Sequence, residues 1–204
     1  MKSFLALVVG LSVLALPVRG APEQFKPDRD GFIRNWLILA PIPLASDSSG
    51  AEAIDKNQLP DETALKPKEG DKVKVGNKEL VWKKVQTKDY YFDINEILGT
   101  PTENSVAYAV CYVVVDTDLT DLKVKMGSND QAKLYVNGKE ILKFTETRVL
   151  EKDSEVYDVR AMLKGVNTIV FKVINESNNW QGCLRFTDKQ DKGLTNLKIT
   201  LSPP

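Results

Sequence analysis

The chain contains no histidine. That absence excludes Ser-His-Asp and Cys-His catalysis and any metal site built on imidazole. Cysteine is scarce as well: Cys111 and Cys183 are the only two, too few for a four-thiolate metal site. An excess of charge of one sign is missing too. Lys plus Arg number 28 and Asp plus Glu 28, a formal net charge of zero. No basic block stands out, so neither the electrostatic footprint of a nucleic-acid binder nor polybasic membrane attachment is present. There is no nucleophile elbow and no phosphate loop. Asp89, Asp93, Glu96 and Asp116 offer carboxylates, but nothing sets any two apart as the fixed pair that glycosidic chemistry needs. The expectation is a protein that is not an enzyme.

What is present begins with an address. Met1-Lys2 gives a positive start, Phe4 to Leu16 is an apolar run broken at Pro17, and Val18-Arg19-Gly20 places short residues before Ala21. This is the secretory signal pattern, and the run is shorter than the roughly 20 apolar residues a membrane span needs. Residues 1–20 are therefore expected to be a signal peptide and residues 21–204 one β-sandwich domain, secreted or periplasmic, with no membrane attachment after cleavage. Loss of Lys2 and Arg19 takes the basic count from 28 to 26 against 28 acidic residues.

The remainder is a series of short apolar or alternating segments with turn signals between them. Gly31 to Ala40 predicts a first strand, ended by Pro41 and Pro43. Leu44 to Gly70 is polar and predicts a long surface excursion, with a helical turn near Ala51 to Lys56. Gly76-Asn77 and Asn137-Gly138 predict hairpin turns. Tyr90 to Ile94 predicts a short strand. Ser105 to Val115 is apolar on both faces, which predicts a central strand covered from both sides. Leu122, Val124 and Met126 alternate with lysines and predict a half-exposed strand. Glu155 to Val159 predicts another strand, Arg160 to Lys164 a helical turn stopped by Gly165, and Thr168 to Ile174, Gln181 to Thr187 and Leu197 to Leu201 the last three strands. Ten or so short strands with regular turns predict an all-β sandwich or barrel.

An ordered series in the second half carries a resemblance. Gly127-Ser128-Asn129-Asp130, Leu134 to Lys139 (LYVNGK), Leu163 to Ile169 (LKGVNTI) and Trp180 to Arg185 resemble, over about Val106 to Asp188, the galactose-binding-like jelly-roll superfamily, including sugar-binding domains attached to glycoside hydrolases. Phe32 to Pro43 is similar to the first strand of exported bacterial modules of that kind. The resemblance implies a jelly-roll β-sandwich and a non-catalytic binding module with carbohydrate as its ligand. It is poorly specific for function, since this fold hosts many activities. The alternative is a structural or protein-interaction module of the cell envelope without a sugar site. The first predicts a groove with exposed aromatic and amide side chains; the second predicts buried rings.

On the resemblance, the ligand site would include Asn129, Asp130, Trp180 and Arg185. Related domains carry two consecutive aspartates that bind calcium and a sugar hydroxyl. Here the pair is Asn129-Asp130, which lowers the charge of such a site, so no cofactor is expected and structural calcium is only an option. Trp180 offers a ring to stack on a sugar, or else caps the core; Trp36 and Trp82 sit in apolar patterns and are expected in the core. Arg185 offers a planar fork to a ligand, or a salt bridge to Asp188 or Asp130. Asn175-Glu176-Ser177 is a glycosylation sequon on an expected surface loop. In an oxidising compartment Cys111 and Cys183 would form a disulfide; the alternative is two separate buried thiols. Oligomeric state is left open.

Overall fold

A computed structural model describes residues 23–46 and 48–203; the expected signal peptide lies outside them. The strands are β1 (Gln24–Phe25), β2 (Asn35–Pro43), β3 (Lys72–Val75), β4 (Lys78–Val81), β5 (Lys83–Gln86), β6 (Phe92–Asp93), β7 (Ser105–Val115), β8 (Leu119–Asn129), β9 (Ala132–Val136), β10 (Lys139–Phe144), β11 (Glu155–Met162), β12 (Gly165–Asn175), β13 (Gln181–Asp188) and β14 (Lys198–Thr200). Among the described residues, helix is confined to α1 (Gly50–Ala53), a 3₁₀ turn at Glu62–Ala64, and α2 (Ile94–Leu98).

The strands form two antiparallel sheets and a small hairpin, β3–β4. The larger sheet has eight strands in the order β1-β14-β7-β12-β9-β10, with β2 also pairing β7 and β5 pairing β2. β14 lies against residues 112–114 of β7 and β2 against residues 105–110, so the two share one edge of a long strand. The smaller sheet runs β11-β8-β13-β6. The sheets pack face to face as a β-sandwich. Trp36 and Phe171 of the large sheet meet Phe92 of the small one, with ring centroids 5.8 and 5.6 Å from Phe92. Gly182 sits beneath this contact because a Cβ there would lie 2.4 Å from the Phe92 ring.

The expected central strand Ser105–Val115 is β7, buried on both faces. One face looks into the sandwich. The other lies under a strap formed by residues 48–71, where Tyr108 and Tyr112 donate to Glu62 and to the Pro67 carbonyl. The segment expected to be a polar surface excursion is therefore partly core: Ala53, Ile54, Leu59 and Glu62 are all buried. The hairpin at Asn137-Gly138 forms as expected, with both residues at positive φ (51° and 79°), the conformation that favours Asn-Gly.

Four local expectations are corrected. Pro41 does not end the first strand; β2 runs on to Pro43 through a register shift between Leu39 and Ile42 where it pairs with β7. Tyr90 to Ile94 yields only two strand residues before Asp93 caps α2 through the Glu96 amide. Arg160 to Lys164 forms no helical turn, because β11 continues to Met162, paired with β8 on both sides of Arg160 without a register shift. Asn175 closes β12 fully buried, donating to the Thr102 carbonyl, so this sequon is not on a surface loop.

Candidate functional site

Three of the four residues expected to hold a ligand, Trp180, Asp130 and Arg185, are occupied by the fold. Trp180 is 0% exposed and its indole N–H donates to the Val173 carbonyl at 3.2 Å. It is core, as the alternative reading had it. Asp130 is also buried. One carboxylate oxygen accepts the Arg148 amide at 3.1 Å and the other the Glu176 amide at 3.1 Å. Asp130 thereby clasps two loops onto the end of β8. Burial pushes its carboxyl above the usual range, opposed by those amide bonds. The Arg148 guanidinium donates to the Ser128 carbonyl and hydroxyl and pairs with Glu155. A single carboxylate already serving two amides does not fit calcium. Asn129 is 5% exposed, and its side-chain oxygen meets no hydrogen-bond partner among the described residues.

Arg185 lies on the outer face of the small sheet. Its fork is taken by Asp153 in a two-point ion pair, rather than by Asp188 or Asp130. It also donates to the Asp30 carbonyl and stands 5.2 Å over the Phe32 ring. Lys125 and Lys123 extend the network to Asp191, whose carboxyl they draw down to about 2. Asn129 and Arg185 thus share a sheet face, while Trp180 is sealed in the core, so the four do not converge on one surface.

The expected disulfide is not formed: both thiols are free and buried. The pleat gives the reason. Cys111 pairs with Ile169 on the face shared with Phe171, toward the small sheet. On β13, Gly182, Leu184 and Phe186 take the inward positions, so Cys183 points outward beside Gly127 and the Glu151 carbonyl. A stacked pair of sheets is about 10 Å deep, and Cys183 faces away across the nearer one. Burial pushes the Cys183 thiol up to about 12.

The strap is anchored by a group that the sequence did not flag. Lys172, in the middle of β12, is wholly buried against Glu62. Its ammonium donates to both Glu62 carboxylate oxygens (3.2 and 3.1 Å) and to the carbonyls of Ala53, Ile54 and Lys56 (3.3, 3.2 and 2.7 Å). Glu62 also accepts the hydroxyls of Tyr108 (2.5 Å) and Tyr135 (3.1 Å) and the Gln58 amide (3.0 Å). This constellation has acid, base and amine character, but it is closed to solvent and saturated with hydrogen bonds. Its chemistry is that of a fastener. A lysine inside the apolar run of β12 was the available signal; its partner 110 residues away was not.

A cleft of about 540 Å³ opens where the free edges of β10 and β11 approach each other. Val136, Ile141, Val159 and Met162 supply apolar lining, and Tyr157, Lys139 and Arg160 supply the polar groups. No carboxylate lines it. The alternation of the strands sends Glu140 to Lys133 on the other face of the large sheet, and Asp158 lies opposite Lys123. Lys139 and Arg160 are exposed and form no ion pair among the described residues. The motifs that carry the superfamily resemblance brace the rim. The Asn137 side chain accepts the Thr168 amide and donates to Asn167, and Asn167 donates to the Leu163 carbonyl. Tyr157 and Arg160 had no motif to mark them.

Comparison of the chain with protein-family models and with curated proteins finds no match.

Proposed function

We propose that this protein is an exported, non-catalytic recognition module of the galactose-binding-like jelly-roll type, and that it works as a protein-interaction module through the open β10–β11 edge. The observation that carries this reading is a contrast in exposure. All three Trp side chains are buried, at 1%, 2% and 0% exposed, while Val156 (47%) near the start of the edge strand β11 and Leu163 (61%) just past its end stand out, the latter lining the cleft. Tryptophan rings held inside argue against a sugar platform, and exposed apolar side chains along an open edge strand support an interaction surface. The Asn137 and Asn167 side chains are spent on each other and on backbone, so the amides of the family motifs support the fold rather than a ligand.

Carbohydrate binding in the same cleft is the second reading, favoured by the partly exposed Tyr157 ring between Lys139 and Arg160. Two measurements separate the readings. Cross-linking in the native compartment, mapped by mass spectrometry, should place a partner at Lys139 and Lys164. A glycan array, run with and without calcium, should be blank. A glycan signal that Tyr157→Ala removes would replace the first reading by the second.

A further inference from the structure

Sheet edges differ in how well they are guarded. An edge strand offers unpaired N–H and C=O groups to any extended chain, and natural proteins blunt such edges by shortness, lysines, proline or a bulge. Here β1 and β6 are two residues long. β10 carries Lys139 and Lys143 and a bulge between Glu140 and Leu142. β11 has none of these protections. It runs eight residues, Glu155–Met162, without proline, glycine or lysine, and with no register shift against β8 on its one paired side, though the ladder skips Arg160. Val156 on it is 47% exposed, and Leu163 just beyond its end is 61% exposed.

From this edge we infer that a second copy of the chain pairs with β11, antiparallel and about a two-fold axis through Val159, joining the two small sheets into one. The inference rests on the reading of this edge as a recognition surface and names its partner. A two-fold axis perpendicular to the sheet keeps each side chain on its own face, so residues of like parity must oppose one another. Few registers then remain. With Val159 opposite itself, Asp158 faces Arg160 of the second copy and Arg160 faces its Asp158. On the same face Val156 meets Met162, and on the other Tyr157 meets Ala161. A register centred on Asp158 sets Asp158 against Asp158. One centred on Arg160 sets Arg160 against Arg160. The pairing through Val159 alone matches opposite charges twice while overlapping the strand from Val156 to Met162. Opposite charges directly across two strands stabilise the pair, and like charges oppose it. Asp158 and Arg160 are both exposed and form no ion pair with one another or with other described residues, so the self-pairing displaces no existing bridge.

Sedimentation of the purified protein over a wide concentration range tests this. The wild type should show a reversible monomer–dimer equilibrium. Asp158→Arg or Arg160→Asp turns two attractions into two repulsions and should each raise the dissociation constant about tenfold or more. An equimolar mixture of the two variants should associate again, because one copy then presents two arginines to two aspartates of the other; the double variant should dimerise as the wild type does. Circular dichroism of the single variants should be unchanged, and melting temperatures should fall only slightly, since Asp158 lies across from Lys123. A wild type that stays monomeric, a dimer indifferent to both reversals, or a mixture that fails to associate would each overturn the inference. A monomer that still cross-links a partner at Lys139 would sink the self-pairing and leave the recognition reading standing.

Discussion

Glu62→Gln is the substitution that most sharply tests how the strap is held. It keeps the shape of the side chain and removes its charge. The Lys172 ammonium, buried with Glu62 as its ion-pair partner, would be left with three carbonyls and no anion in its cage. Removing one member of a buried pair costs about 3–5 kcal/mol, because the other charge stays buried. Against a total stability of about 5–15 kcal/mol, that is a large fraction, and the strap should loosen first. Denaturant unfolding followed by fluorescence of the buried tryptophans reads it. The pH dependence supplies a second check with a definite sign. Burial already holds the Lys172 ammonium below its ordinary value of 10.5, with Glu62 opposing that shift. Without Glu62 the depression deepens. The unfolded chain then binds more protons than the native one just below pH 10.5, so stability rises with pH in that window. The variant should recover part of its deficit as the buffer goes from neutral to alkaline. Combining it with Lys172→Met should cost clearly less than the sum of the two single changes, since the stranded charge is gone. A loss under about 1 kcal/mol, the worth of an ordinary hydrogen bond, with no alkaline recovery, would refute this account of the pair.

Other consequences follow from the same geometry. Trp180→Ala should destabilise by about 3–5 kcal/mol through the cavity it leaves, read as a lowered melting temperature; a variant as stable as the wild type would show that the ring is not core. Asp191, drawn down to about 2 by Lys123 and Lys125, binds fewer protons folded than unfolded between about pH 2 and its ordinary 3.8. Its contribution is present above pH 3.8 and lost as pH falls toward 2, and Asp191→Asn should flatten that part of the acid unfolding curve, less visibly at high salt. Thiol titration of denatured, unreduced protein should count two free thiols, and the native protein should react slowly because both are buried; a count of zero would restore the disulfide.

Much of the fold was legible in the residues. The two-sided apolar run of β7 announced a strand covered from both sides, because only a buried strand can carry no polar face. Asn137-Gly138 announced its hairpin, because few residue pairs adopt two successive positive φ angles. The absence of histidine removed whole classes of chemistry before any coordinate was known. The two-sheet class followed from strand number and turn spacing.

The candidate site was another matter. Trp180, Asp130 and Arg185 have the chemistry of a binding site, and chemistry is all that a linear sequence displays. Whether a ring faces solvent or core turns on the parity of its strand, and a shift of one residue reverses it. Parity on β13 turned Cys183 away from Cys111 and gave Arg185 to Asp153. The strap was misjudged for a related reason. Glu62 looks like any surface carboxylate until β12 brings Lys172 beneath it from 110 residues away. Local preference is written residue by residue and can be read that way. Partners across long loops are chosen by which faces the sheets bring together, and only the packed structure decides that.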